Sequence, residues 1–157
     1  MTASNLTIDS SAWVEMLRGT PKGALVRERM GSARDCFTAS ISLAEVALVS
    51  VRRGRAPGHL RLDLALISEG SKIIPIDEPL ATLAGQTTLE LKASAARRGL
   101  RTPGLADGIV LATARATGSR LITTDRHFEG LAETIWLGKG EGPGTLGRAA
   151  RIGAVGC

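Results

Sequence analysis

Short apolar segments alternate along the chain with longer stretches in which apolar residues recur at helical spacing. The short segments, which are typical of buried strands, lie at residues 6–8, 36–41, 72–76, 120–124 and 135–137. The helical spacing predicts helices over about residues 12–17, 21–30, 42–53, 60–69, 77–98 and 105–117. Strands that alternate with helices through short loops predict an α/β fold, a three-layer sandwich in which helices cover both faces of a five-stranded parallel sheet.

Some of these helices depend on local signals. Residues 60–67 fit both a strand and a helix period, and a helix is preferred because Gly70 would end it and a clearer strand follows. Ser42 is predicted to cap the third helix, in which case Glu45 has the spacing of a capping box. The longest helix is open to a break near Gly85.

The chain has the size and composition of one globular domain. Its 157 residues are 43% apolar and 22% charged, which suits a single core rather than a disordered chain. We expect this domain to span residues 1–137, followed at 138–157 by a Gly-rich, mobile extension with too little apolar bulk for a core element. Cys36 and Cys157 have no metal or disulfide spacing, so a buried small side chain and a tail thiol are expected.

Neither a membrane segment nor a secretion signal is expected. The longest apolar stretches fall short of the ~20 residues that cross a bilayer, and no basic segment precedes an apolar one near the N-terminus. A cytoplasmic location is therefore expected. The net charge of +5 and the pI near 10.0 favour a polyanionic partner such as nucleic acid, although the arginines within 52–55 and 97–101 could equally complement helix ends.

Four acidic residues follow or interrupt apolar segments, where an unpaired carboxylate is costly: Asp9, Glu45, Asp107 and Asp125. Each has a local explanation. The aspartates after strands could form turns or caps, Glu45 could complete a capping box, and Asp107 could stabilise the start of a helix. Of the four, Asp107 has the weakest local explanation and Glu45 the strongest.

Taken together, the four acids predict a metal site. Asp9 and Asp125 follow strands, and the carboxyl ends of parallel strands form the crevice that binds ligands. Glu45 and Asp107 lie near helix starts that would project into the same crevice. Carboxylate oxygens select hard ions such as Mg2+ or Mn2+, and one or two such ions could activate water and stabilise the leaving oxygen of a phosphodiester.

Other side chains near these acids could take part. Ser10, Thr123 and Thr124 could orient a water or a phosphate oxygen, although hydroxyls at strand ends are more often ordinary turn ligands. Arg126 could contact phosphate or simply face solvent. The two histidines lack zinc-like spacing, so a zinc site is not expected.

The motifs around the four acids resemble those of PIN domains, in particular toxins of the VapC type. The resemblance covers about residues 5–137. It rests on Ile8-Asp9-Ser10-Ser11-Ala12, Ser42-Leu43-Ala44-Glu45-Val46, Leu105-Ala106-Asp107-Gly108-Ile109-Val110-Leu111-Ala112-Thr113-Ala114 and Leu121-Ile122-Thr123-Thr124-Asp125-Arg126-His127-Phe128.

This resemblance implies a five-stranded parallel sheet flanked by helices and an endoribonuclease that depends on Mg2+ or Mn2+. It implies that Asp9, Glu45 and Asp107 hold one or two ions, directly or through water, and that Asp125 supports them or holds a second ion. It also implies a homodimer and a small antitoxin of the VapB type that blocks the acidic site. His127 is a departure, because many relatives have an aspartate just before the phenylalanine.

Other functions are compatible with the same residues. A PIN-like module could keep the fold and bind RNA or a protein without cutting, and a PIN nuclease could act in RNA processing rather than as a toxin. A phosphohydrolase with an aspartate nucleophile is disfavoured, because Ser11 stands where that chemistry usually has a second acid. A glycine-rich phosphate-binding loop is absent from the sequence.

Overall fold

The α/β prediction is confirmed. The computed structural model describes residues 3–138, which form a five-stranded parallel sheet with helices on both faces. The strands are β1 (Leu6–Ile8), β2 (Cys36–Ala39), β3 (Lys72–Ile74), β4 (Arg120–Thr123) and β5 (Thr134–Trp136). The helices are α1 (Ser10–Leu17), α2 (Pro21–Ser32), α3 (Ser40–Arg52), α4 (Pro57–Gly70), α5 (Glu78–Arg97) and α6 (Leu105–Ala116), with a 3-10 helix at Arg126–Phe128.

The strand order creates a crevice at the centre of the sheet. The order is β3-β2-β1-β4-β5, and every neighbouring pair is parallel. The chain builds outward from β1 on one side through β2 and β3, and then crosses to the other side with β4 and β5. The order therefore reverses between β1 and β4, and ligands in open α/β sheets bind beyond the carboxyl ends of the strands at such a point.

Two separate cores hold the layers together, because alternate residues of a strand point to opposite faces of the sheet. On one face, Ile8 and Ile122 pack against side chains of α1 to α4, among them the fully buried Trp13. On the other face, Leu121 packs with residues of α5 and α6, among them Leu111. The adjacent positions Leu121 and Ile122 thus anchor helices on opposite sides of β4.

The start of α3 differs from the prediction. β2 ends at Ala39, where its pairing with β3 also ends, and the helix begins at the next residue without a side-chain cap. Ser42 therefore lies inside the helix rather than capping it, and the predicted capping box with Glu45 is wrong. Ser42 is fully buried, and its hydroxyl has no hydrogen-bond partner within residues 3–138. Two other strands end earlier than predicted: β3 ends at Ile74 rather than at residue 76, and β5 ends at Trp136 rather than at residue 137.

The predicted break in α5 does not occur, since the helix runs unbroken through Gly85, which faces open space. A second glycine has a packing role. A methyl group at Gly108 would overlap the side chain of Thr88, so α6 lies against α5 more closely than any larger residue permits. This contact presses the first turn of α6, which carries Asp107, against the long helix.

Some expectations fall on residues that the structure does not cover. The Gly-rich extension predicted at 138–157 lies outside the described residues from position 139 onward, as does Cys157. Cys36 is half-buried rather than fully buried. None of the helices in the described part of the chain is long and apolar enough to cross a membrane.

Candidate active site

The four acids predicted as a site come from four different elements that meet at the crevice. Asp9 directly follows β1 and is the N-cap of α1, and Asp125 follows β4 and is the N-cap of the 3-10 helix. Glu45 lies in α3, which starts at the carboxyl end of β2. Asp107 lies in the first turn of α6, which leads into β4 and therefore begins at the carboxyl edge of the sheet.

Asp9 is the most enclosed of these carboxylates, with an exposed fraction of 5%. Its Oδ1 accepts the backbone N–H of Ser10 at 2.8 Å, and its Oδ2 accepts the hydroxyls of Ser11 and Thr123, each at 2.7 Å. Burial raises the pKa of Asp9, the Thr123 and Ser11 hydrogen bonds lower it, and the charge of Asp125 raises it. The carboxylate is thus held in a fixed orientation in an environment that disfavours its charge.

Ser11 and Thr123 connect Asp9 to the loop that carries Asp125. The Ser11 Oγ accepts the backbone N–H of Thr124 at 3.0 Å, and the Thr123 Oγ1 accepts the backbone N–H of Asp125 at 3.0 Å. Each hydroxyl therefore donates to Asp9 and accepts from the loop after β4. Sequence reasoning selected Thr123 but missed Ser11, although a hydroxyl two residues after a strand-end aspartate is a usual turn signal.

Glu45 carries the clearest electrostatic signature in the site. Its pKa is raised to about 7, first by burial and then by the charge of Asp9, with smaller contributions from Asp107 and Asp125. The Ser10 hydroxyl acts in the opposite direction and lowers the pKa. Because Glu45 forms no cap, local structure does not explain its position, and the charges that raise its pKa are those of the other three acids.

Asp107 has a local role at the start of α6. Its Oδ2 accepts the backbone N–H of Gly104 at 2.7 Å, which satisfies a free donor at the start of α6. Burial raises the pKa of Asp107 despite this bond, and the charge of Asp125 adds to the rise, while His127 and Arg101 lower it. The expectation that Asp107 has the weakest local explanation and Glu45 the strongest is therefore reversed.

The remaining predicted residues differ in how closely they approach the acids. The Ser10 hydroxyl lies 3.4 Å from Asp9 Oδ1, and Thr124 contributes its backbone N–H to the network through Ser11. Arg126 is largely exposed, and its guanidinium lies 3.7 Å from the carboxylate of Glu129. Arg126 is thus an exposed cation next to Asp125 in sequence.

The chemistry of the donors fits a hard divalent cation. All four side chains offer carboxylate oxygens, and the pKa shifts show that their charges act on one another. Within residues 3–138, no three His, Cys, Asp or Glu side chains lie close enough together to form a ready-made metal cluster.

Known protein families and solved structures were compared with this chain. The sequence matches the family model described as "PIN domain" over residues 6–134. No curated protein matches the sequence significantly.

Several solved structures share the fold. VapBC2 from Rickettsia felis, bound to a DNA fragment from its promoter, has a TM-score of 0.61 and 17% identity, over 85% of this chain and 98% of that one. The Mycobacterium tuberculosis toxin VapC20, described as cleaving the sarcin-ricin loop, has a TM-score of 0.60 and 16% identity, over 78% and 92% of the two chains. A toxin-antitoxin complex from Klebsiella pneumoniae has a TM-score of 0.58 and 18% identity, over 85% and 96%.

Proposed function

The chain belongs to the PIN-domain family, a family of nucleases, and on that premise we propose that it is an endoribonuclease that depends on Mg2+ or Mn2+. We further propose that it acts as the toxin of a toxin-antitoxin pair of the VapBC type in the cytoplasm. The observation that carries the nuclease proposal is the mutual influence of four carboxylates from four elements at the central crevice. Such a concentration of negative charge is costly unless a cation offsets it.

In this proposal the acids divide into two roles. Asp9, Glu45 and Asp107 hold the metal, directly or through water, and Asp125 supports them or holds a second ion. A divalent ion bound there would supply Lewis acidity and lower the pKa of a water molecule, which could then attack phosphorus. Ser11 and Thr123 keep Asp9 oriented, and Gly104 does the same for Asp107 through its backbone N–H. The net charge of +5 favours the approach of the RNA backbone.

Cleavage of end-labelled RNA tests the proposal. The purified protein, freed of any bound antitoxin, should cut RNA in Mg2+ or Mn2+ and not in EDTA, leaving 5′-phosphate and 3′-hydroxyl ends. Asp107→Asn should lower the rate by about 100-fold or more, because it removes a ligand charge at the metal.

Asp35→Asn is the matched control for that variant. Asp35 immediately precedes β2 at the opposite end of the sheet, where it pairs with Lys72 at 2.7 Å, so this change should leave the rate unaltered. The enzyme proposal fails if the wild-type protein cuts no RNA in either metal, or if Asp107→Asn cuts as well as the wild type. A protein that binds RNA in a gel-shift assay without cutting it would instead be a non-catalytic module.

The partners are proposed from surface features together with the fold relatives. Four apolar side chains of α3 and α4 are at least 45% exposed, namely Leu48, Val51, Leu62 and Leu66. Exposed apolar side chains of this size are typical of surfaces that another protein covers. Several fold relatives are described as toxin-antitoxin complexes, which favours a VapB-type antitoxin here.

Two measurements test the partners. A homodimer should appear in light scattering at micromolar concentration, and a monomer at that concentration would contradict it. An antitoxin should be encoded by a small neighbouring gene and should suppress RNA cleavage when added at equal concentration. A cleaving protein without such a neighbour would point to RNA processing rather than toxicity.

A further inference from the structure

His127, the position that departs from the family pattern, is almost fully buried, with an exposed fraction of 8%. Its backbone N–H donates to Asp125 Oδ1 at 2.9 Å, and its side chain turns toward the loop between α5 and α6. There the ring Nε2 lies 2.6 Å from the backbone carbonyl of Arg101. A carbonyl oxygen only accepts, so Nε2 carries the proton and donates it.

The second ring nitrogen faces the acidic site. Nδ1 of His127 lies 2.9 Å from Asp125 Oδ1, and it has no hydrogen-bond partner of suitable geometry in the described part of the chain. The ring is therefore placed between two oxygen atoms, a carboxylate on one side and a carbonyl on the other. A buried polar atom without a hydrogen-bond partner costs free energy, so its presence in a folded protein calls for an explanation.

The loop that receives the Nε2–H is the one that positions Asp107. Arg101 is three residues before Gly104, and Pro103 between them is buried and restricts the backbone. Gly104 in turn donates its N–H to Asp107 Oδ2 at 2.7 Å. A continuous path thus runs from Asp125 through His127 and this short loop to Asp107.

We propose that His127 is a positioning residue that sets the separation of Asp125 and Asp107 by tying the Asp125 loop to the loop that holds Asp107. The meaning of this separation for metal binding rests on the proposed function. Two carboxylates of like charge repel each other, so a fixed distance between them requires a restraint from outside the pair. The His127 bridge provides that restraint without itself contacting the metal or the substrate.

Two substitutions separate the roles of the ring nitrogens. Glutamine carries its amide nitrogen where histidine carries Nε2, so His127→Gln keeps a donor for the Arg101 carbonyl. Asparagine carries its polar atoms near the position of Nδ1, so His127→Asn keeps a polar group facing Asp125 but loses the link to Arg101. The bridge should survive in His127→Gln and should be broken in His127→Asn.

Mn2+ affinity, measured by isothermal titration calorimetry, is the first readout. His127→Asn should bind Mn2+ about 10- to 100-fold more weakly than the wild type, the range seen when groups that orient metal ligands are removed. His127→Gln should stay close to the wild type. Equal affinities for all three proteins, or equal losses in both variants, would overturn the proposal.

The second readout is the Gly104 amide signal in nuclear magnetic resonance spectra of the metal-free protein. It reports the bond to Asp107 directly, and it should shift in His127→Asn and stay in place in His127→Gln. If His127→Asn does not fold, the wild-type protein still tests the bridge through the imidazole nitrogen signals of His127. A proton on Nε2 that exchanges slowly is expected, and a ring protonated only on Nδ1 would contradict the bridge.

The two proposals fail in different ways. If the amide shift and the Mn2+ affinities behave as expected but the wild-type protein cuts no RNA, the bridge stands and the nuclease proposal fails. If the wild-type protein cuts RNA while His127→Asn matches it in both readouts, the nuclease proposal stands and the bridge fails.

Discussion

Replacement of Glu45 by glutamine should stabilise the metal-free protein at alkaline pH while abolishing metal-dependent cleavage. The pKa of Glu45 is raised from its ordinary 4.5 to about 7, chiefly by burial and by the charge of Asp9. Because the folded-state pKa lies above the unfolded-state value, the contribution of Glu45 to the free energy of unfolding is fully present below about pH 4.5. It is lost progressively as the pH rises to about 7.

The size of the effect follows from this shift. A rise in pKa from 4.5 to about 7 corresponds to about 3 kcal/mol of lost stability above pH 7. Glu45 is only half-buried, and solvent screening reduces that figure to about 1 to 2 kcal/mol. Glutamine has nearly the same shape and no charge, so Glu45→Gln should gain about 1 to 2 kcal/mol at pH 8 and almost nothing at pH 4.

Urea denaturation in EDTA at pH 4 and pH 8, followed by circular dichroism, measures the difference in the free energy of unfolding. Glu69→Gln is the matched control, since Glu69 lies on the exposed surface of α4 and should show no gain at either pH. With saturating Mn2+ at pH 8, the wild type should instead be more stable than Glu45→Gln, because only the wild type keeps all four carboxylates. A pH-independent difference between Glu45→Gln and the wild type would refute the electrostatic reasoning.

The remaining predictions concern the network around Asp9 and Asp107, the packing of α6, and metal removal. Ser11→Ala should cost about 1 to 3 kcal/mol in urea denaturation, because it leaves a backbone N–H of the loop after β4 without its acceptor, and Thr at this position should restore most of the loss. Gly108→Ala should destabilise the protein by about 1 to 3 kcal/mol through overlap with Thr88, whereas the same change at the exposed Gly85 should stabilise it by roughly 0.5 to 1 kcal/mol. Mn2+ should raise the Tm of the wild type in a concentration-dependent manner, and Asp107→Asn should remove this rise; an equal rise in both proteins would place the metal elsewhere.

The fold was accessible from the sequence because its determinants are local and repetitive. Each of the five strands is a short apolar segment, and each helix shows apolar residues at helical spacing, so the alternation predicts a parallel sheet without knowledge of any contact. The family resemblance drawn from four short motifs is confirmed by the match to the PIN-domain family model. Strand ends were less accessible: the pairing of β2 with β3 ends at Ala39, whereas alternating polar and apolar residues continue to Leu43.

The candidate site was predicted in its residues but not in its connections. Asp9 and Asp125 could be placed together because both follow strands, and the roles of the four acids remain predictions. The local signals were misleading for Ser42, which has the sequence of a cap but is buried in the helix, since packing outweighs a capping bond. The bonds of Thr124 to Ser11 and of His127 to Arg101 join distant parts of the chain, and no local pattern encodes them.

The hydrogen bond between Thr123 and Asp9 spans 114 positions in the sequence. It joins the first strand of the sheet to the fourth, and β1 has no partner on that side until β4 is in place. Contacts of such long range form late and slowly in folding, because closing the loop between them costs entropy before any contact is gained. During synthesis, a growing chain therefore contains Asp9 and Glu45 before it contains Thr123 and Asp125. The four acids therefore come together only after the chain has been synthesised beyond Asp125.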